Sequence, residues 1–311
     1  MFKYAIAKIQ EKQTASNIKR ARKVLVSCLK RWEYEDDRTQ RFSSIFDDWF
    51  KQIPQSATSI ILQLLLMYYY YPHKVVNRLL VELHKKLIEI NTITHNNTIY
   101  IPIKSANGNS NSSNIYWTEY KLQNKLSKYI VIDDISELTM EQWNCISYVI
   151  MIDDCGGSGS TLTKYIERNK DILKDKHVYF ITIHIMRSAW EYINEYSEKS
   201  GINISVISAT IQEKAFNHVF FKNIRLRELF IKTSKDFGIP KEEVLGFKKS
   251  EGLFAFYNNT PNNTLGIFRY DTDTYMSPFP RSQDKKPDWW HLKTGKKLRE
   301  LQNYNSIAQR R

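Results

Sequence analysis

The chain has 311 residues, 42% of them hydrophobic, and a formal net charge of +13. That is enough apolar side chain for one large α/β domain with additions, or for two domains. Three scattered cysteines, Cys28, Cys145 and Cys155, argue against a disulfide framework and against a zinc site. The strongest apolar run, Ile60 to Met67, is too short to span a bilayer, and the N-terminus lacks a signal-peptide pattern. The expected setting is a reducing cytoplasm with no membrane partner. The charge sits at the ends. Residues 1–32 carry nine Lys and Arg against Glu11 alone, and residues 281–311 carry nine against Asp284, Asp288 and Glu300. Basic ends of this kind suit a polyanion, nucleic acid first, although a solvated Lys-rich surface gives the same composition.

In chain order, residues 1–33 read as a helix with Ile6, Ile9, Ile18, Val24, Leu25 and Leu29 at helical spacing. Acids from Glu33 to Thr39 mark a turn. Phe42 to Phe50 reads as a helix with Phe42, Phe46, Trp49 and Phe50 on one side. Ser56 or Thr58 would cap a further helix, Ile60 to Tyr70, and Pro72 opens another over 73–90. The tyrosines at 68–71 read as packing, with a base-stacking platform as the alternative. From residue 95 strands and helices alternate. Strands are expected at Thr98–Ile103, Tyr129–Ile132, Val149–Ile152, Val178–Ile185 and Ile202–Ile207. Helices are expected at 115–126, 138–145, 162–173 and 189–199. This alternation predicts a parallel sheet with helices on both faces and ligands beyond the carboxyl ends of its strands. Further on, Phe230 to Phe237 reads as a helix and Leu253 to Tyr257 as a strand. His177, His184 and His291 show no metal spacing, and Trp289, Trp290 and His291 suit either stacking or burial.

The chemistry concentrates in VIMIDDCGGSGSTL, residues 149–162. An apolar strand ends in Asp153 and Asp154. The small-residue loop Gly156, Gly157, Ser158, Gly159, Ser160, Thr161 then opens a helix. Backbone N–H groups and a helix N-terminus hold a phosphate, and carboxylates accept from neighbouring ribose hydroxyls. The bland alternative is a glycine-rich strand-to-helix turn. No Lys follows Gly159, so this is not a Walker A loop. The acids precede the glycines, so it is not a dinucleotide fingerprint. A second loop, Lys104 to Ser113, leaves the strand at 98–103 with a Lys-Ser pair able to bind diphosphate, or simply solvated.

The order of residues 149–161 resembles the phosphoribosyl-pyrophosphate signature of type I phosphoribosyltransferases: four apolar residues, two acids, three variable residues, Ser/Thr, Gly, any residue, Ser/Thr. The resemblance implies that Asp153 and Asp154 hold the ribose 2′- and 3′-hydroxyls and that Gly157 through Thr161 wrap the 5′-phosphate. It also implies that Lys104 and Ser105 take the diphosphate, with Mg2+ accompanying the ligand and no metal site in the protein itself. Many members carry an acid or Thr where Gly157 stands, and in some that acid is the general base.

Leu245-Gly246-Phe247, Asn259 to Leu265 and Phe279-Pro280-Arg281 resemble blocks of a subgroup of phosphoribosyltransferase-like proteins from bacterial conflict systems, including retron-associated effectors. The alternative for the Asn-rich block is a purely structural turn. The resemblance adds Asn259, Asn262 and Asn263 as candidate ligand contacts. It also implies a reverse transcriptase with its RNA–DNA hybrid as partner. The expected organisation is a helical extension over 1–94, a phosphoribosyltransferase-like α/β domain over 95–283 and a basic tail over 284–311. The expected chemistry is transfer or loss of a group at ribose C1′, with Asp153, Asp154 and Lys104 as catalytic residues and Lys164 as a further candidate cation. A catalytically inactive nucleotide-sensing or nucleic-acid-binding subunit is the alternative.

Overall fold

The computed structural model describes residues 2–33, 36–90, 92–103 and 113–281. Lys104, Ser105, the Trp289–His291 segment and the basic tail over 284–311 lie outside the described residues. The first helix, α1 (Phe2–Trp32), buries Ala21, Leu25, Cys28, Leu29 and Trp32, a stripe at three- and four-residue spacing. Helix α2 (Asp37–Lys51) starts five residues earlier than the aromatic pattern indicates. Asp36 caps it by accepting from the Thr39 N–H at 2.9 Å, so the acids that read as a turn are the helix start. Helix α3 (Thr58–Leu66) follows a 3-10 turn and is capped by neither Ser56 nor Thr58; Ala57 is its N-cap, with no side-chain bond.

The helix expected through Tyr70 stops earlier. Tyr69–Tyr71 is instead a strand, β1, paired in parallel with Phe254–Phe256. Consecutive aromatic residues favour an extended backbone when a partner strand is present, and that partner lies nearly two hundred residues away. Helix α4 (His73–Ile88) begins after Pro72 and buries Val76, Leu80, Leu83 and Leu87.

Strand β2 (Thr98–Pro102) and helix α5 (Ser113–Gln123) come next. The strand expected at 129–132 is a 3-10 turn over Lys128–Ile130 followed by one bridge, Val131 to Tyr100, with the Ile132 N–H donating to the Tyr100 carbonyl at 3.1 Å. Then come α6 (Met140–Cys145), β3 (Tyr148–Gly156), α7 (Ser160–Arg168) and α8 (Lys170–Leu173). Strand β4 (His177–Met186), α9 (Arg187–Ser200) and β5 (Asn203–Gln212) complete the alternation. The single helix expected over 162–173 is broken at Asn169, whose φ of −115° is not helical.

The four long strands are parallel in the order β2-β3-β4-β5. Tyr100 pairs with Ile150 of β3 on one side and with Val131 on the other. The full order is therefore residue 131, β2, β3, β4, β5, and the chain reverses its direction of travel across the sheet between β2 and β3. Loops at the carboxyl ends of two strands diverge at such a switch point and leave a crevice. Right-handed crossovers then place α5 on one face and α7 and α9 on the other. Accordingly α5 packs on β3 and on α4, while α9 packs on β4, β5 and α7.

The last elements are α10 (Ile224–Asp236), α11 (Lys241–Val244), β6 (Phe254–Phe256) and α12 (Gly266–Arg269). They share a second apolar core with α1, α2 and α3. Phe279 sits at its centre against Trp32, Phe42, Tyr68 and Tyr70. Arg38 donates to the carbonyls of Phe256 and Pro280 and to Thr260 Oγ1. Phe279-Pro280 therefore closes the core. Tyr68, Tyr70 and Tyr71 are buried, which supports packing over a stacking platform. His184 is buried as well: it bonds the Tyr71 hydroxyl at 2.8 Å and stacks on Phe254, and burial lowers its pKa to about 3. It is a neutral core histidine.

Candidate functional site

The pleat of β3 separates the two acids. Asp153 and Cys155 face a cavity of about 390 Å3, whereas Asp154 is buried outside its lining. Asp154 lies near Tyr116 of α5, whose phenol is held above its usual range by burial first and the Asp154 charge second. The Tyr116 hydroxyl donates to Asn258 Oδ1 at 2.8 Å. Local bonds fix the carboxylates: the Asp154 N–H donates to Asp153 Oδ1 at 2.9 Å and the Cys155 N–H to Asp154 Oδ1 at 2.7 Å. The Asp153 carboxyl is pushed well above the ordinary carboxylate range, chiefly by burial and then by the Asp154 charge.

The glycine loop curls over the same cavity. Gly156, Gly157, Ser158, Gly159, Ser160 and Thr161 all line it. Gly159 is the N-cap of α7 at φ +72°, and the Ser158 and Ser160 hydroxyls bond each other at 2.8 Å. The first turn of α7 opens here with the positive end of its dipole, its Ser160 N–H donating to Ser158 Oγ at 3.5 Å. Ser160, Lys164 and Arg168 recur at four-residue spacing, so one stripe of α7 carries all three into the lining. Lys164, which reads equally well as a solvated-face residue, is at the cavity. Arg168 was missed by sequence reasoning, although the same spacing marks it.

The Asn-rich block arrives from the far end of the chain. Asn262 and Asn263 line the cavity, as does Phe247. Pairing between the two blocks places them there. The Phe247 N–H donates to the Asn262 carbonyl at 2.8 Å, the Gly252 N–H donates to that of Asn263 at 3.0 Å, and Ser250 Oγ donates to the Asn263 carbonyl at 2.9 Å. Asn263 lies directly on Gly157: a Cβ at residue 157 would stand 2.1 Å from Asn263 Oδ1. The amide thus fills the space of the side chain that Gly157 lacks. Asn259 is outside the lining and makes a local turn, with its Oδ1 accepting from the Thr260 N–H at 2.8 Å and its carbonyl from the Phe256 N–H at 2.9 Å.

Pro102, the last residue of β2, is in register with Ile152, so the chain leaves β2 level with the start of the acid pair. Lys104 and Ser105 themselves lie outside the described residues. No group of three His, Cys, Asp or Glu able to hold a metal exists among the described residues. Among the described residues Asp153 is the single carboxylate in the lining, so a magnesium ion fits there as a companion of the ligand's own phosphate oxygens. No helix among the described residues is long and apolar enough to cross a membrane.

A parallel sheet with helices on both faces, carrying an acid pair and a glycine loop beside its switch point, defines a type I phosphoribosyltransferase-like α/β fold. The PRTase-CE family matches residues 46–281, more than half of the chain, and the protein belongs to that family. Among solved structures, a xanthine-guanine-hypoxanthine phosphoribosyltransferase from Helicobacter pylori is similar at 16% identity and a TM-score of 0.30, over 50% of this chain and 95% of that one. An orotate phosphoribosyltransferase from Aeropyrum pernix is similar at 13% identity and a TM-score of 0.29, over 44% and 70% respectively. No curated protein matches the chain in sequence.

Proposed function

We propose that this protein binds a ribose phosphate or nucleotide in the cavity at β3 and α7 and acts at ribose C1′, as an effector of a retron-type anti-phage system. The observation that carries the ligand class is the convergence of Asp153, the glycine loop and the Ser160–Lys164–Arg168 stripe on one cavity. The helix N-terminus and the two cations suit a 5′-phosphate, and Asp153 suits ribose hydroxyls. Asp154, turned to the α5 side, acts on the ribose by fixing the end of β3. In the reaction, the bond from C1′ to the leaving group breaks and its electron pair departs with that group. Water or an acceptor nucleophile then closes on C1′. Such an oxocarbenium-like transition state needs the ribose held and the leaving charge countered, and Lys104 is the residue proposed for the second task.

The second reading, a nucleotide sensor without turnover, is favoured by Asn263 on Gly157. An amide stands where an acid would, and an amide takes no proton near neutral pH. Incubation with labelled nucleotides and phosphoribosyl pyrophosphate separates the two readings. Product formation is expected, while binding without product supports the sensor. Ribose 5-phosphate binding is expected to weaken at least tenfold in Asp153→Ala. Unchanged affinity there would remove both readings.

The proposed partner is a reverse transcriptase with its RNA–DNA hybrid, contacted through the basic segments 1–32 and 284–311. The expectation is steep salt dependence, with hybrid binding lost by orders of magnitude between about 50 and 200 mM salt. A salt-independent affinity contradicts it.

A further inference from the structure

The phosphate loop has a second side. A further cavity of about 330 Å3 opens against Gly157, Ser158 and Phe247, which also line the first, and is completed by residues that the first does not use, chiefly Tyr192, Lys214 and Lys248. Among the described residues neither Lys214 nor Lys248 pairs with a carboxylate, while the neighbouring Glu213 is taken by Arg187 at 3.1 Å. Phe247 and Tyr192 are each 44% exposed, a high value for rings flanking one hollow. Lys248 is held at φ +53° and Lys249 at φ +55°, in the left-handed region that costs a non-glycine residue free energy. That strained turn presents Lys248, whose ammonium lies 5.6 Å from the centre of the Phe247 ring. The turn is pinned by the bond from the Glu251 N–H to the Leu245 carbonyl at 2.9 Å and by the Arg227–Glu251 pair at 2.6 Å.

A terminal 5′-phosphate would need only the first side of the loop. Cations without a carboxylate partner among the described residues, and open aromatic faces, on the other side suit a further phosphate and a base. We infer that the site takes a dinucleotide: the ribose phosphate at Asp153 is joined through its 5′-phosphate to a second nucleotide, which lies in the cavity of Lys214, Lys248 and Tyr192. This inference rests on the ligand class proposed above and narrows it. The linkage can be a 5′,5′-diphosphate or a 3′,5′-phosphodiester, since both present a bridging phosphate and a second base.

Calorimetry on the full chain tests it with adenosine 5′-monophosphate, a 5′,5′-diphosphate diadenosine and the 3′,5′-linked dinucleotide pApA. At least one dinucleotide is expected to bind tenfold or more tightly than the monophosphate, and the tighter of the two identifies the linkage. Lys214→Gln with Lys248→Gly is expected to abolish that gain while leaving monophosphate affinity within about twofold. Glycine is chosen at 248 because it adopts φ +53° without strain. Tyr192→Leu should remove part of the gain by itself. Equal affinity for mono- and dinucleotides, or a gain that survives the double variant, overturns the inference and leaves the first cavity's reading intact. Absence of binding for all three ligands overturns that underlying reading, and this one with it.

Discussion

Gly246→Ala is expected to destabilise the protein by on the order of 2–5 kcal/mol and to abolish ligand binding, although residue 246 lines neither of the two cavities described above. Two costs combine. Gly246 has φ +73°, where an L side chain is strained by about 1–2 kcal/mol. A Cβ there would also stand 2.3 Å from the Asn263 carbonyl oxygen and 2.7 Å from its carbon. Those are backbone atoms, so no rotamer change relieves the clash, and forcing extra volume into packed structure typically costs a further 1–3 kcal/mol or more. The segment of chain that must yield carries Asn262 and Asn263 to the glycine loop. Gly201→Ala is the internal control. It has φ +72° but nothing within 4 Å of the added carbon, so it isolates the backbone cost. Urea unfolding of both variants, with ribose 5-phosphate affinity measured beside it, makes the comparison. If Gly246→Ala proves as mild as Gly201→Ala, the Leu245–Phe247 block does not position the asparagines.

The signature strand, the loop and the alternation around them are local. Four apolar residues, paired acids and small residues in order specify strand, turn and helix within fourteen positions. The structure brings the whole loop to one cavity with Asp153. Three features depended on distant partners and were not legible. Tyr69–Tyr71 has the composition of either state, and only β6 selects the strand. Val131 makes a single bridge, so the strand expected there is reduced to one pairing, yet that pairing defines the switch point. The contact of Asn263 with Gly157 joins residues 106 positions apart. No local propensity encodes it, although each half stood out by itself as a departure or a motif. Arg168 is the opposite case, since its signal was local and lay in a four-residue repeat from Ser160 through Lys164. The acid pair was half legible. Adjacency in sequence suggests a shared role, whereas adjacency on a strand sends the side chains to opposite faces.

Asp153→Asn is expected to make the ligand-free protein more stable at neutral pH while weakening ribose phosphate binding at least tenfold. The carboxyl is held above its ordinary value of 3.8 by burial and by Asp154, so the folded state binds this proton more tightly than the unfolded chain does. The sign follows from linkage: the favourable contribution of Asp153 is complete below pH 3.8 and is lost as pH rises through the higher folded value. Near neutral pH the folded protein therefore bears the cost of this group, whether as a repelled charge beside Asp154 or as a proton taken up against the pH. Asparagine has the same shape, keeps an oxygen to accept the Asp154 N–H, and carries no charge to desolvate. The melting temperature should rise by about 2–4 °C for each kcal/mol recovered, with the advantage over the native protein closing as pH falls toward the ordinary aspartate range. Binding should move the other way, because a carboxyl group has two oxygens that can accept from ribose hydroxyls and an amide has one. Thermal melts from pH 4 to 8, paired with calorimetry on ribose 5-phosphate, test both halves. A variant that melts lower at pH 7 and still binds would show that Asp153 is a structural acid, and the ribose would have to be held elsewhere.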